Sequence, residues 1–213
     1  MQGIFAGRTQ LRYPYGRYGY TRGGGKIWHG GMDLVGSDST DIRMPYYKNK
    51  RITGKVVRAR RVTDHSNKTW EWGWYVCVQL DANQTPDTVN FLYFCHCSCL
   101  LVSVGQKVSS GDALAIMGQT GNAANGYDHT HLEARATATG TGVDPTEYAG
   151  CANAVGIYGT QEVDEPTSDA AASTGKLQVI TVGPVSQGDA DAILAVCKER
   201  GLTDAGLYKS EWA

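Results

Sequence analysis

A mainly β fold is what this chain predicts, on three observations. Glycine supplies 27 of the 213 residues and tyrosine 12, a turn-rich and aromatic composition that suits sheets. Apolar residues recur with a period of two, as in Trp74, Val76, Val78 and Leu80. Before about residue 185, no segment shows the 3.6-residue periodicity of a long amphipathic helix.

Taken in order, Leu11 to Tyr20 interleaves aromatics with Gly and Pro and reads as a short strand entering an irregular loop. Gly23-Gly24-Gly25 gives conformational freedom just ahead of Trp28-His29-Gly30-Gly31-Met32-Asp33. Ile52 to Val62 forms a strand with a basic exposed side, and Trp72 to Leu80 forms a second. Val89 to Leu101 is a long β-rich run in which alternation puts Cys95, Cys97 and Cys99 on one face and His96 on the other, with Leu92 and Phe94. Val104 to Asp112 is a turn-rich hairpin feeding a strand from Ala113 to Met117. The loop Gly118 to Asp128 follows, with Gly and Asn residues that tolerate positive φ. His129 to Glu133 is a further strand.

Composition shifts after Tyr158. Residues 1–158 are expected to form the β domain, and 159–175, rich in Asp, Glu, Ser, Thr and Ala, a flexible linker. Residues 176–213 read as a small α+β module, a β-α-β unit whose helix carries Ala190, Ile193, Leu194 and Cys197 on one stripe. Its 38 residues make a marginal core, so it is expected to dock, bind a surface or pair with a second copy.

Charge is divided along the chain. Residues 1–68 carry 14 Lys and Arg against 4 Asp, and residues 69–213 carry 6 against 17 acidic groups. A basic front suits approach to an anionic surface, and solvated side chains explain it equally. No apolar run is long enough to span a bilayer, and the first residues lack the h-region of a signal peptide, so the expectation is cytoplasmic synthesis without membrane insertion and release by other means, or else a leader that this sequence omits. Six cysteines without a CxxC pair read as buried free thiols.

The chain has five histidines. On a strand, His129, His131 and Glu133 share one face, and two imidazoles about 7 Å apart can reach one metal or one substrate atom. A hydrogen-bonded surface pair accounts for that spacing as well. His29 stands four residues before Asp33, with Gly30-Gly31 arguing for an extended loop on which both side chains converge. His65 lies in a polar turn and reads as a surface residue. No HExxH helix is present, so a glutamate base of that type is excluded.

The combination of His29-x-x-x-Asp33, Tyr93-Phe94-Cys95-His96 and His129-x-His131-Leu132-Glu133, in that order, resembles the lysostaphin-type (LytM-like) zinc endopeptidases. The likeness runs from about Arg12 to Tyr148. It includes Tyr13-Pro14-Tyr15-Gly16-Arg17, the Val104-Gly105-Gln106-Lys107-Val108 hairpin, Gly118-x-x-Gly121 and Val143-Asp144-Pro145.

The resemblance implies an antiparallel sheet with a substrate groove. It implies one Zn²⁺ held by His29, Asp33 and His131, three N/O ligands that leave a fourth position open for water. His96 and His129 would flank that water, as general base and as stabiliser of the oxyanion, in an order left open. Glu133, which alternation puts on the histidine face, is expected to hold a ligand histidine or a neighbouring loop. The implied activity is cleavage of peptide bonds in peptidoglycan stems or cross-bridges at the bacterial cell wall, in the manner of a phage or prophage endolysin. Peptidoglycan is then the partner, no nucleic acid is expected, and the C-terminal module could bind the wall or dimerise. The alternative is a non-catalytic peptidoglycan-binding or amidase-activator protein of the same fold. A biotinyl- or lipoyl-carrier hairpin at Val104–Met117 is excluded by the lack of a modifiable lysine at its tip.

Overall fold

Short alternating runs, punctuated by glycine, become strands too brief to stand alone, and they gain stability by pairing into sheets. The computed structural model describes residues 3–86 and 89–160, all within one unit, Met1–Asp164. The strands are β1 Thr9–Leu11, β2 Gly19–Arg22, β3 Ile27–His29, β4 Met32–Gly36, β5 Asp41–Arg43, β6 Thr53–Arg61 and β7 Trp74–Leu80. They continue with β8 Phe91–Cys95, β9 Cys99–Leu100, β10 Lys107–Ser109, β11 Ala113–Ile116, β12 Thr130–Arg135, β13 Gly142–Val143 and β14 Gly156–Tyr158. One short helix, α1 Thr146–Ala149, and three 3₁₀ turns complete the described elements. None of the described helices is long and apolar enough to cross a membrane.

The main sheet runs β10-β6-β7-β8-β12-β4-β1-β14, with β13 also on β12, and each of its pairings is antiparallel. A smaller sheet, β5-β11-β9, shares its core. Ile42, Leu114 and Ala115 from the small sheet pack with Met32, Leu34, Val76, Val78, Leu92, Phe94 and Leu132 from the large one. Burying each such side chain contributes roughly 1.5–3 kcal/mol. On the other face of the large sheet, Tyr75, Cys77, Tyr93 and Cys95 form a second cluster.

One expectation is made specific and three are corrected. Gly23-Gly24-Gly25 is the turn of a β2–β3 hairpin, its φ angles of 56°, 67° and 86° available to glycine without strain. His29 and Asp33 are not on an extended loop: His29 ends β3 and Asp33 lies in β4, on either side of a two-glycine bend.

The run from Val89 to Leu101 is not continuous either. His96 adopts φ 66°, which breaks the strand between β8 and β9 and reverses the alternation beyond it. Cys97 therefore packs in the main core while Cys95 stays in the opposite cluster, and His96 does not share the core face with Leu92 and Phe94. Finally, the strands of the expected hairpin after Val104 join different sheets, β10 pairing with β6, and β11 with β5 and β9.

Cys77, Cys95, Cys97 and Cys151 are buried free thiols, with Cys99 partly exposed. The expected linker from residue 161 on and the expected module at 176–213 lie outside the described residues.

Candidate metal centre and active site

Sheet register brings the chemistry together. On β12, His131 pairs with Asp33 of β4 on one side and with Cys95 of β8, next to His96, on the other. His29 arrives from the end of β3, and His129 precedes β12 at an isolated bridge to Gly118. All five residues expected at the site meet in a cleft of about 770 Å³, whose lining also includes Tyr15, Arg22, Trp28, Trp72, Asn122 and Tyr127.

Each imidazole is oriented by one nitrogen. His29 Nδ1 donates to the carbonyl of Arg17 at 2.8 Å, which turns Nε2 inward. His131 Nε2 donates to Glu133 Oε1 at 2.8 Å, which turns Nδ1 inward. These inward atoms lie 2.9 Å apart. Asp33 Oδ1 stands 2.9 Å from His131 Nδ1 and 3.2 Å from His29 Nε2. Arg22, on the β2–β3 hairpin, places Nη2 2.9 Å from Asp33 Oδ2 and 2.9 Å from His29 Nε2.

These donors fit a zinc ion. With both outer protons committed, His29 Nε2, His131 Nδ1 and Asp33 Oδ1 converge on one point, a grouping met in the protein alone by the Arg22 guanidinium and a proton on His131 and suited to a shared cation in their place. Their separations approach the roughly 3.3 Å edge of a tetrahedron with bonds near 2.0–2.1 Å. The residues alone reveal the same demand for positive charge. Burial disfavours charge on His131, yet the hydrogen bonds and charges of Asp33 and Glu133 raise its pKa to about 9. Burial likewise pushes Asp33 up, but hydrogen bonds from His131 and His29 hold it well below the usual carboxylate range. Among the described residues, His29, Asp33 and His131 form the group that gathers metal-binding atoms in this way.

His129 and His96 are held differently. His129 Nδ1 donates to the Tyr127 carbonyl at 2.9 Å, and His96 Nδ1 to the Thr120 carbonyl at 2.8 Å. Among the described residues neither Nε2 atom has a partner at hydrogen-bonding distance, that of His129 lying 3.8 Å from Asp33 Oδ1. The two rings are 4.9 Å apart. Burial and the neighbouring His131 and His129 push His96 down to about 3, and burial lowers His129 as well. Both are neutral at neutral pH and present an acceptor.

The left-handed turn at His96, which sequence alternation misses, is what delivers this ring to the cleft. Its backbone N–H donates to the Trp72 carbonyl at 2.9 Å. Gly73, at φ 60°, allows the approach of Thr120 and Gly121, where any Cβ would collide. The sequence gives no warning of Arg22. Tyr127 is different: it stacks on His129 at 4.6 Å, and its odd-numbered place in Tyr127-x-His129-x-His131 is a signal that alternation offered. His65 stacks on Trp70 at 4.4 Å, away from the site.

The profile of peptidase family M23 matches residues 29–145, the stretch that holds all five residues. Among solved structures, the catalytic domain of the antimicrobial peptidase lysostaphin from Staphylococcus simulans is 22% identical. It covers 62% of this chain and 86% of that one, with a TM-score of 0.45. The catalytic domain of the prophage-encoded M23 protein EnpA from Enterococcus faecalis is 21% identical, covering 63% and 88%, with a TM-score of 0.47. A zinc containing peptidase from Vibrio cholerae is 21% identical over 61% of this chain and 32% of that one, with a TM-score of 0.38.

Proposed function

This chain belongs to peptidase family M23, and on that premise we propose that it is a zinc-dependent endopeptidase that hydrolyses peptide bonds in peptidoglycan stems or cross-bridges. The observation that carries the reading is the convergence of His29 Nε2, Asp33 Oδ1 and His131 Nδ1 beside two neutral imidazoles in one open cleft. His29, Asp33 and His131 would hold Zn²⁺, which when bound would supply Lewis acidity and lower the pKa of a water toward ~7.

The remaining work belongs to the side chains. Arg22 holds Asp33 by Oδ2, which leaves Oδ1 directed at His29 and His131. Glu133 fixes His131 in the tautomer that presents Nδ1. His129, kept neutral by burial and with Nε2 free, accepts a proton from the attacking water and returns it to the leaving amine, with Asp33 3.8 Å away to offset part of the cost of that charge. His96 stays neutral, its ring 4.9 Å from that of His129, and orients the reacting groups. Tyr15, Trp28 and Trp72 line the cleft and offer flat apolar contacts to a flexible peptide.

Action at the bacterial cell wall follows from this substrate, and the basic N-terminal third favours an anionic polymer. We also propose an origin in a phage or prophage lytic system, with residues 176–213 as a wall-binding or dimerising module. With all three zinc-binding side chains present, no observation favours the non-catalytic alternative. The discriminating experiment is His131→Ala: joint loss of bound zinc and of peptidoglycan hydrolysis supports an enzyme, and full biological activity without zinc refutes it.

A further inference from the structure

The contacts of Glu133 continue beyond His131. Its second oxygen, Oε2, accepts a hydrogen bond from Arg135 Nε at 2.5 Å and pairs with Nη2 of the same guanidinium. Arg135 is only 9% exposed. Its guanidinium carbon lies 4.7 Å from the ring centre of Tyr93 and 5.0 Å from that of Trp72. Those two rings meet edge to face at 5.4 Å, and Trp72 also contacts Tyr75 edge-on at 5.2 Å. Trp72 is the residue whose carbonyl holds the backbone N–H of His96.

A carboxylate this buried is tolerable only when both oxygens are paired. Glu133 meets that condition with His131 on one oxygen and Arg135 on the other, so the position of the imidazole depends on the position of the guanidinium. Arg135 is itself held by two aromatic faces, a contact that a planar guanidinium makes better than an ammonium.

We propose that Arg135, gripped between Trp72 and Tyr93, is a positioning residue for the metal centre: through Glu133 it fixes the ring of His131, and through Trp72 it ties that ring to the segment carrying His96. The inference rests on the zinc-site reading given above.

Zinc affinity, measured by competition with a chromophoric chelator and paired with a thermal melt of each variant, tests it. Arg135→Ala and Glu133→Gln each weaken zinc binding by about 10- to 100-fold. The double variant is no weaker than the worse single one, because both changes cut the same connection. Trp72→Leu weakens binding in the same direction, and Trp72→Phe, which keeps a flat ring beneath the guanidinium, restores it to within about threefold of wild type. If Arg135→Ala does not fold, Arg135→Lys takes its place and shows an intermediate loss. Wild-type affinity in the folded arginine and Trp72→Leu variants, or losses that add in the double variant, would overturn the proposal. A wild-type protein that binds no zinc removes the underlying reading and the inference with it, whereas wild-type binding with unaltered variants removes the inference alone.

Discussion

Asp33 and His131 face each other across the β4–β12 ladder, and the same register that pairs their backbones sets Oδ1 and Nδ1 2.9 Å apart. Antiparallel register therefore builds part of the site, with no loop needed to bring these two donors together. Asp33→Asn keeps the shape of the side chain and removes its charge. Zinc binding and hydrolysis are both expected to fall more than about 100-fold, since a direct ligand matters more than the residues behind it. Equilibrium dialysis with metal analysis checks the first and peptide release the second.

His129 and His131 are expected to separate cleanly. His129 Nδ1 is committed to the Tyr127 carbonyl and its ring stands outside the donor group, so His129→Ala should retain one equivalent of zinc. Its turnover should fall by about 10²–10⁴-fold, the usual worth of a positioned proton acceptor. Zinc loss in this variant comparable to that of His131→Ala would move His129 onto the metal.

In the metal-free protein the histidine cluster is expected to contribute most to stability near pH 6.5. His96 titrates at about 3 when folded and about 6.5 when unfolded, so the unfolded chain binds more protons between these values and stability falls as pH drops through them. His131 titrates at about 9 when folded, so its contribution is complete below about 6.5 and is lost as pH rises toward 9. Zinc displaces the proton from His131 and should abolish the alkaline loss. Urea unfolding from pH 4 to 9, with chelator and with zinc, checks this. Stability that climbs from pH 6.5 to 9 in chelator would contradict it.

Gly31 is required by close approach. A Cβ there would strike the Leu132 carbonyl and come within 2.9 Å of both His131 Cε1 and Glu133 Cγ. Gly31→Ala is expected to destabilise the fold by about 1–3 kcal/mol and to weaken zinc binding by displacing His131. Denaturant titration and zinc competition on the same preparation measure both effects.

What could be read from the sequence was whatever depends on local period and spacing. Alternation alone puts His129, His131 and Glu133 on one face, and the apolar residues Val76, Val78 and Leu80 in the core. The residue His96 was expected at the site, but its orientation escaped because a single residue at φ 66° overturns a two-residue period, and no neighbour in sequence announces it. The convergence of His29 with Asp33 was expected, but its setting on two strands was not, since Gly30-Gly31 signals freedom without specifying a bend. Arg22 and Arg135 reach the site through hairpin closure and aromatic stacking, tertiary relationships between residues far apart in the chain.

Mass spectrometry of fragments released from peptidoglycans of several chemotypes, with and without a chelator, tests the central claim most directly. The account predicts soluble fragments bearing a new amine and a new carboxylate at one peptide bond, produced by the zinc-loaded protein and abolished by the chelator. Intact peptidoglycan of every chemotype after treatment with protein holding one equivalent of zinc would contradict it.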